Sequence, residues 1–167
     1  MAASVLVAYA PRYGLTQDVA EAVAAALCDD GIAADLQAAR TVKALKPYGA
    51  VVLGAPLQSL QWHKDALAFL DQHRSKLVER KVAVFALGPF PDEEEPRQEL
   101  RAHFRTELGR FPWFTPVSEE VFDSNTLGLR LKVIPALKNT PANDVQDWAA
   151  VKTLANTLPE KLQLARG

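Results

Sequence analysis

Residue types that could do chemistry fall into three short segments, each placed directly after an apolar run. The first is Tyr9-Ala10-Pro11-Arg12-Tyr13-Gly14-Leu15-Thr16. It is a tight loop with one glycine, followed by a hydroxyl where a helical repeat begins. Backbone N–H groups at a helix N-terminus point outward and carry partial positive charge, so an anion fits there. Gly14 lets the backbone come close to it, Thr16 can donate a hydroxyl hydrogen bond, and Arg12 can add charge. The same residue types also build an ordinary turn, with Thr16 as N-cap, Gly14 as turn residue and Arg12 as a solvated charge; local turn chemistry alone does not separate the two. The loop lacks a Gly-Lys-Ser/Thr ending and a second and third spaced glycine, which excludes a nucleotide P-loop and a dinucleotide fingerprint. Phosphorelay receiver chemistry needs an Asp at a strand end, whereas the strands here end in Ala10, Gly54 and Gly88.

The second segment, Gly54-Ala55-Pro56-Leu57-Gln58-Ser59-Leu60-Gln61-Trp62-His63, is long, apolar and poor in charge. Apolar loop residues beside a sheet edge can pack on a flat aromatic ligand. The third, Gly88-Pro89-Phe90-Pro91-Asp92, holds one aromatic ring stiffly between two prolines. Packing beneath the loops is the competing role for Trp62 and Phe90. His63, His73 and His103 are too scattered for a metal-ligand pattern. His63 lies near the second segment, where a proton-transfer role competes with that of a plain helix-start histidine. Cys28 has no evident cation partner and reads as a packing residue.

These segments need elements to hold them. Val5-Leu6-Val7-Ala8, Ala50-Val51-Val52-Leu53 and Val82-Ala83-Val84-Phe85-Ala86-Leu87 are short apolar runs without polar alternation, as strands buried on both faces require. Between the first two, Leu15, Val19, Val23 and Leu27 recur every four residues, and Gly31 stands where a helix would stop. Ile32 to Leu36 is a weaker strand candidate, and Thr41 to Lys46 predicts a short helix or turn closed by Pro47. A helix is expected from Lys64 to Leu77, and another from Glu93 to Glu107 with Asp92 as N-cap and Pro96 in or just after its first turn. Pro112 and Pro116 bracket an irregular loop, Val117 to Phe122 predicts a last strand, and Asp144 to Leu158 a closing helix with Trp148, Val151, Leu154, Ala155 and Leu158 facing inward. Alternation of strand and helix predicts an α/β fold with a parallel sheet and right-handed crossovers. In such sheets a ligand sits beyond the carboxyl ends of the strands, where all three segments lie.

Composition sets the outer bounds. The chain has 167 residues, 49% hydrophobic and 23% charged, which excludes a disordered or collagenous chain and suits one domain. A net charge of −1 argues against affinity for nucleic acid through phosphate neutralisation. No apolar run approaches the roughly 18 residues of a membrane span, and Met1-Ala2-Ala3 carries no basic lead-in of a signal peptide. A single cysteine forms neither an intrachain disulfide nor a cysteine cluster, so a reducing cytoplasm is expected.

Taken together the segments resemble the flavodoxin-like family, within it the branch of menaquinone-dependent protoporphyrinogen oxidases and related flavodoxin-domain proteins. The resemblance rests on Val5 to Thr16, on Tyr48-Gly49-Ala50-Val51-Val52-Leu53-Gly54-Ala55-Pro56, on Trp62-His63-Lys64-Asp65-Ala66, on the spacing of Val82 to Gly88 and on Asp147-Trp148. It implies a three-layer α/β sandwich, a five-stranded parallel sheet of order 2-1-3-4-5 with helices on both faces. It implies FMN, with its phosphate on Pro11, Arg12, Tyr13, Gly14, Leu15 and Thr16. The flavin ring would lie between Ala55, Pro56, Leu57, Gln58 and Ser59 on one side and Gly88, Pro89 and Phe90 on the other, with Trp62 as a further aromatic neighbour. Two places depart from the family: Pro11 replaces a hydroxyl residue in the first loop, and Leu57 and Gln58 occupy the region of the second where a Tyr or Trp is usual. The function implied is electron transfer, with a redox partner protein, a quinone or a small molecule as partner, and oxidoreductase activity of the protoporphyrinogen-oxidase type as its finer form. The departures keep open a second class, a cofactor-free flavodoxin fold serving as a binding module. The stretch from Ser124 to Asn143 contains no Asp or Glu and carries Arg130, Lys132 and Lys138 among apolar residues. It is expected to be a partly buried connection, with weak peripheral membrane contact as the alternative.

Overall fold

Consecutive apolar residues in a strand point to opposite faces, so each needs cover on both sides. The computed structural model shows how that cover is supplied; it describes residues 4–10, 14–58, 61–88, 94–123 and 146–163. The strands are β1 (Ser4–Tyr9), β2 (Ala34–Ala38), β3 (Tyr48–Gln58), β4 (Gln61–Trp62), β5 (Lys81–Gly88) and β6 (Ser118–Asp123). The helices are α1 (Leu15–Asp29), α2 (Lys64–Gln72), α3 (Arg74–Leu77), α4 (Glu94–Leu108) and α5 (Gln146–Lys161). The parallel strands run in the order β2-β1-β3-β5-β6, and β4 folds back antiparallel on β3. Counting the parallel strands alone, this is the expected 2-1-3-4-5.

The period-two pattern divides the core in two. Val5, Val7 and Tyr9 of β1 pack with Val19, Val23 and Leu27 of α1 and with Val151, Leu154 and Leu158 of α5. Leu6, Ala8 and Ala10 face the other layer, with Ala66, Phe69 and Leu70 of α2 and Leu100 and Phe104 of α4. The stop after α1 is the expected one: Gly31 takes φ +81°, its N–H donates to Cys28 C=O at 3.0 Å, and Ile32 N–H donates to Leu27 C=O at 3.0 Å. That pair of bonds closes the helix end and sends buried Ile32 toward β2.

One expectation with two alternatives is settled and two others differ. Of the helix or turn expected over Thr41 to Lys46 the structure has the turn: a 3-10 turn covers Ala39–Thr41, and the chain then buries Val42 and Leu45 before turning at Lys46 and Pro47. Thr41 Oγ1 donates to Ala38 C=O at 2.7 Å, a side-chain bond that competes with helix propagation. The helix expected over Lys64 to Leu77 is two helices broken at His73, whose backbone (φ −106°, ψ 16°) leaves helical geometry while its ring packs 4.6 Å from that of Phe69. The third strand does not end at Gly54 but runs to Gln58, because β5 continues beside it as far as the Pro56–Leu87 pair. Pro56 is tolerated there because β1 has already ended; its C=O accepts from His63 N–H at 3.0 Å on the side β1 has vacated. The expected Asp92 cap, the Trp148 packing and the Leu127 to Leu137 stretch lie outside the described residues or side chains.

Two outcomes follow for stability. A Cβ on Gly54 would lie 2.0 Å from Phe85 Cζ, so Gly54→Ala should cost about 3 kcal/mol in urea unfolding, with a smaller cost when Phe85→Leu is present than the two single costs summed. His73 is 6% exposed, its Nε2 is unpartnered, and burial pushes its pKa below the ordinary value. The folded ring stays neutral while the unfolded chain takes up a proton as pH falls through about 6.5, so this contribution is full above that value and declines below it. Unfolding free energy measured between pH 7 and 5 should fall less steeply in His73→Gln than in the parent.

Candidate functional site

β1 leaves the sheet at Tyr9, which stands opposite Gly54, and Ala10 N–H donates to Gly54 C=O at 3.0 Å. This fixes where the first loop departs. Pro11, Arg12 and Tyr13 lie outside the described residues. Gly14 follows as the N-cap of α1, with φ +114° and ψ −163°, a conformation open essentially to glycine alone. Nothing lies within 4 Å of where its Cβ would stand. Thr16 is therefore not the N-cap. It sits in the first turn, 3% exposed, and no side chain caps α1. Leu15 beside it is half-buried. Asp18 N–H donates to Gly14 C=O at 3.3 Å, which leaves the amides before it without an intrahelical acceptor. The Asp18 carboxyl is pushed above its usual range by burial and then by Glu21.

Beside the end of β1, the end of β3 and β4 form a wall. Ala55 and Leu57 are buried and Pro56 is half-buried. Gln58 closes the strand, and Ser59 lies outside the described residues. Trp62, expected near a flat ligand, is 1% exposed. Its indole N–H donates to Ala55 C=O at 2.9 Å, and its ring meets Phe104 edge-on at 5.0 Å. Its backbone N–H donates to the Glu107 carboxylate at 3.1 Å. Trp62 thus braces the wall from behind. Gly88 ends β5 beneath Leu100, where a Cβ would come within 2.6 Å of Leu100 Cδ2. Pro89 and Phe90 lie outside the described residues. The structure therefore brings Gly14, the Ala55–Gln58 edge and Gly88 to the carboxyl ends of three neighbouring strands, β1, β3 and β5.

Glu107 was not among the residues singled out from the sequence, yet it is 8% exposed and ties α4 to this wall. The signal was present: it shares the inward side of α4 with Leu100, Phe104 and Leu108, all buried. An acid on an apolar stripe needs a donor, and here Trp62 N–H serves, with Arg110 Nη1 at 3.5 Å. His63 is the N-cap of α2: its Nδ1 accepts from Asp65 N–H at 3.0 Å, so the proton of the neutral ring sits on Nε2. Among the described residues, no three His, Cys, Asp or Glu side chains gather to hold a metal, and no helix is long and apolar enough to cross a membrane.

Comparison with known proteins agrees with this fold. The family pattern of a flavodoxin domain matches residues 6–132, more than half of the chain. No curated protein matches by sequence. Among solved structures, oxidised flavodoxin 2 from Bacillus cereus superposes with a TM-score of 0.59 at 21% identity, over 95% of this chain and 99% of that one. A putative quinone reductase from Klebsiella pneumoniae gives 0.62 at 12% identity, over 98% and 86%. Rubredoxin oxygen:oxidoreductase of Desulfovibrio gigas gives 0.57 at 19% identity over 96% of this chain, which spans only 36% of that protein. At these identities the likeness establishes the fold.

Because Trp62 faces the core, its removal should be felt as stability. Trp62→Phe removes the buried indole N–H bond to the Ala55 carbonyl and should cost about 1–3 kcal/mol in chemical denaturation.

Proposed function

The chain belongs to the flavodoxin-domain family, and on that footing we propose that it holds FMN non-covalently at the carboxyl edge of its sheet and takes part in electron transfer. The observation that carries this reading is Gly14: an uncapped helix start directly after β1, in a conformation only glycine adopts readily, with open space where a side chain would be. A phosphate needs such a cradle, since backbone N–H groups must reach it without a Cβ between. Pro11, Arg12, Tyr13, Gly14, Leu15 and Thr16 would hold the phosphate end. The flavin ring would lie between the Ala55 to Ser59 edge and the segment from Gly88 to Phe90.

Bound there, FMN would supply the redox chemistry, and the protein would fix the ring and set its surroundings. Glu107, Trp62 and the Ala55 carbonyl hold the β3–β4 wall through two buried hydrogen bonds. Pro11 contributes no N–H to the cradle, so amides of the first turn of α1 carry more of the phosphate contact. With Trp62 turned inward, the ring-facing aromatic role passes to Phe90.

The partner would be a redox protein, a quinone or another small molecule. Long-range carriers use strong net charge to steer toward partners; a net charge of −1 offers little of it, which favours an oxidoreductase acting on a small substrate. Protoporphyrinogen oxidation is the finer form of that reading, and the cytoplasm its place.

The test is uptake of FMN by the purified chain, followed by absorbance and by quenching of flavin fluorescence. One FMN per chain is expected. Gly14→Ala should lower the affinity at least tenfold with an unchanged far-UV spectrum, and Phe90→Ala should weaken binding or shift the flavin potential. A chain that stays colourless in excess FMN would instead be a cofactor-free binding module.

A further inference from the structure

A cavity of about 310 Å³ opens at the same carboxyl edge but on the far side of β1, between the ends of β1 and β2. It is lined by Tyr9, by Ala38, Ala39, Arg40 and Thr41 of the turn after β2, and by Asp65 in the first turn of α2. The flavin reading uses none of these side chains. We propose that this cavity is a second binding site, for a phosphorylated sugar, with Asp65 accepting from sugar hydroxyls and Arg40 binding the phosphate.

The Asp65 side chain is only 14% exposed, and its nearest basic groups among the described residues are Arg40 Nε at 4.0 Å and His63 Nδ1 at 3.9 Å, both beyond hydrogen-bond reach. His63 Nδ1 already accepts from Asp65 N–H, so it has no proton to offer the carboxylate. A largely buried carboxylate thus faces a cavity with its acceptor capacity unspent, and its two oxygens suit a pair of neighbouring hydroxyls.

Arg40 supplies the second half. Its side chain is 78% exposed, and among the described residues its contact is the loose one to Asp65. At 4.0 Å the two groups share no hydrogen bond, so a ligand entering between them breaks none. Guanidinium binds phosphate through two parallel N–H donors. Thr41 adds no free hydroxyl proton, because its Oγ1 donates to Ala38 C=O at 2.7 Å. Arg40 stands just past β2, and α2 brings the acid from across the cavity.

Ribose 5-phosphate is the probe, titrated calorimetrically into the full chain carrying whatever flavin it retains, with ribose and inorganic phosphate as separate titrants. Ribose 5-phosphate should bind at least tenfold more tightly than either fragment. Arg40→Gln and Asp65→Asn should each weaken it at least tenfold, with FMN uptake unchanged. Arg40→Gln alters only an exposed side chain, so it decides the matter even if Asp65→Asn disturbs α2. Affinity equal to that of inorganic phosphate, or equal in the parent and Arg40→Gln, would overturn the proposal. So would displacement of the probe by added FMN, which would place it in the Gly14 cradle instead. Failure here leaves the FMN titration untouched, and the reverse also holds.

Discussion

The layout of the carboxyl edge follows from β3 outlasting its neighbour. β1 gives out at Tyr9, opposite Gly54, while β3 continues to Gln58. A strand that continues alone on one side must find new partners for its backbone. β5 serves one side as far as Leu87, and the β4 hairpin with His63 N–H serves the other. The overhang is therefore paired on both sides. Phe85 fixes the position by lying across Gly54, where any side chain would collide with its ring.

Much of this layout could be read from residue pattern. The three unbroken apolar runs predicted strands covered on both sides, and the four-residue repeat from Leu15 to Leu27 predicted α1 and its stop at Gly31. The length of β3 was hidden, because Gly54 and Pro56 both look like strand terminators. Each is allowed by something non-local: Gly54 by the ring packed on it, Pro56 by the absence of β1 alongside. The break at His73 was hidden in the same way, since a helical repeat continues through it and only packing against Phe69 reveals the bend. Of the site, Gly14 could be picked out by type and place, whereas the inward turn of Trp62 depends on Glu107, forty-five positions further along.

Polar groups within the layers do the positioning. Glu107 accepts the Trp62 amide, the indole N–H is satisfied at Ala55, and His63 caps α2 through the Asp65 amide. Each tie joins a helix or hairpin to the carboxyl edge, on the α2–α4 side. The α1 end has no such side-chain tie: its first turn presents amides, not caps. One edge of the sheet thus carries a braced wall and, among the described residues, a helix start without a side-chain cap, features suited to a ligand with a flat apolar end and an anionic end.

Amide chemical shifts of isotope-labelled protein during addition of FMN test this most directly. If the phosphoryl group docks at the start of α1, the Gly14, Leu15 and Thr16 amide protons should move markedly downfield and saturate at one equivalent. Saturable binding that leaves those three amides in place would contradict the account.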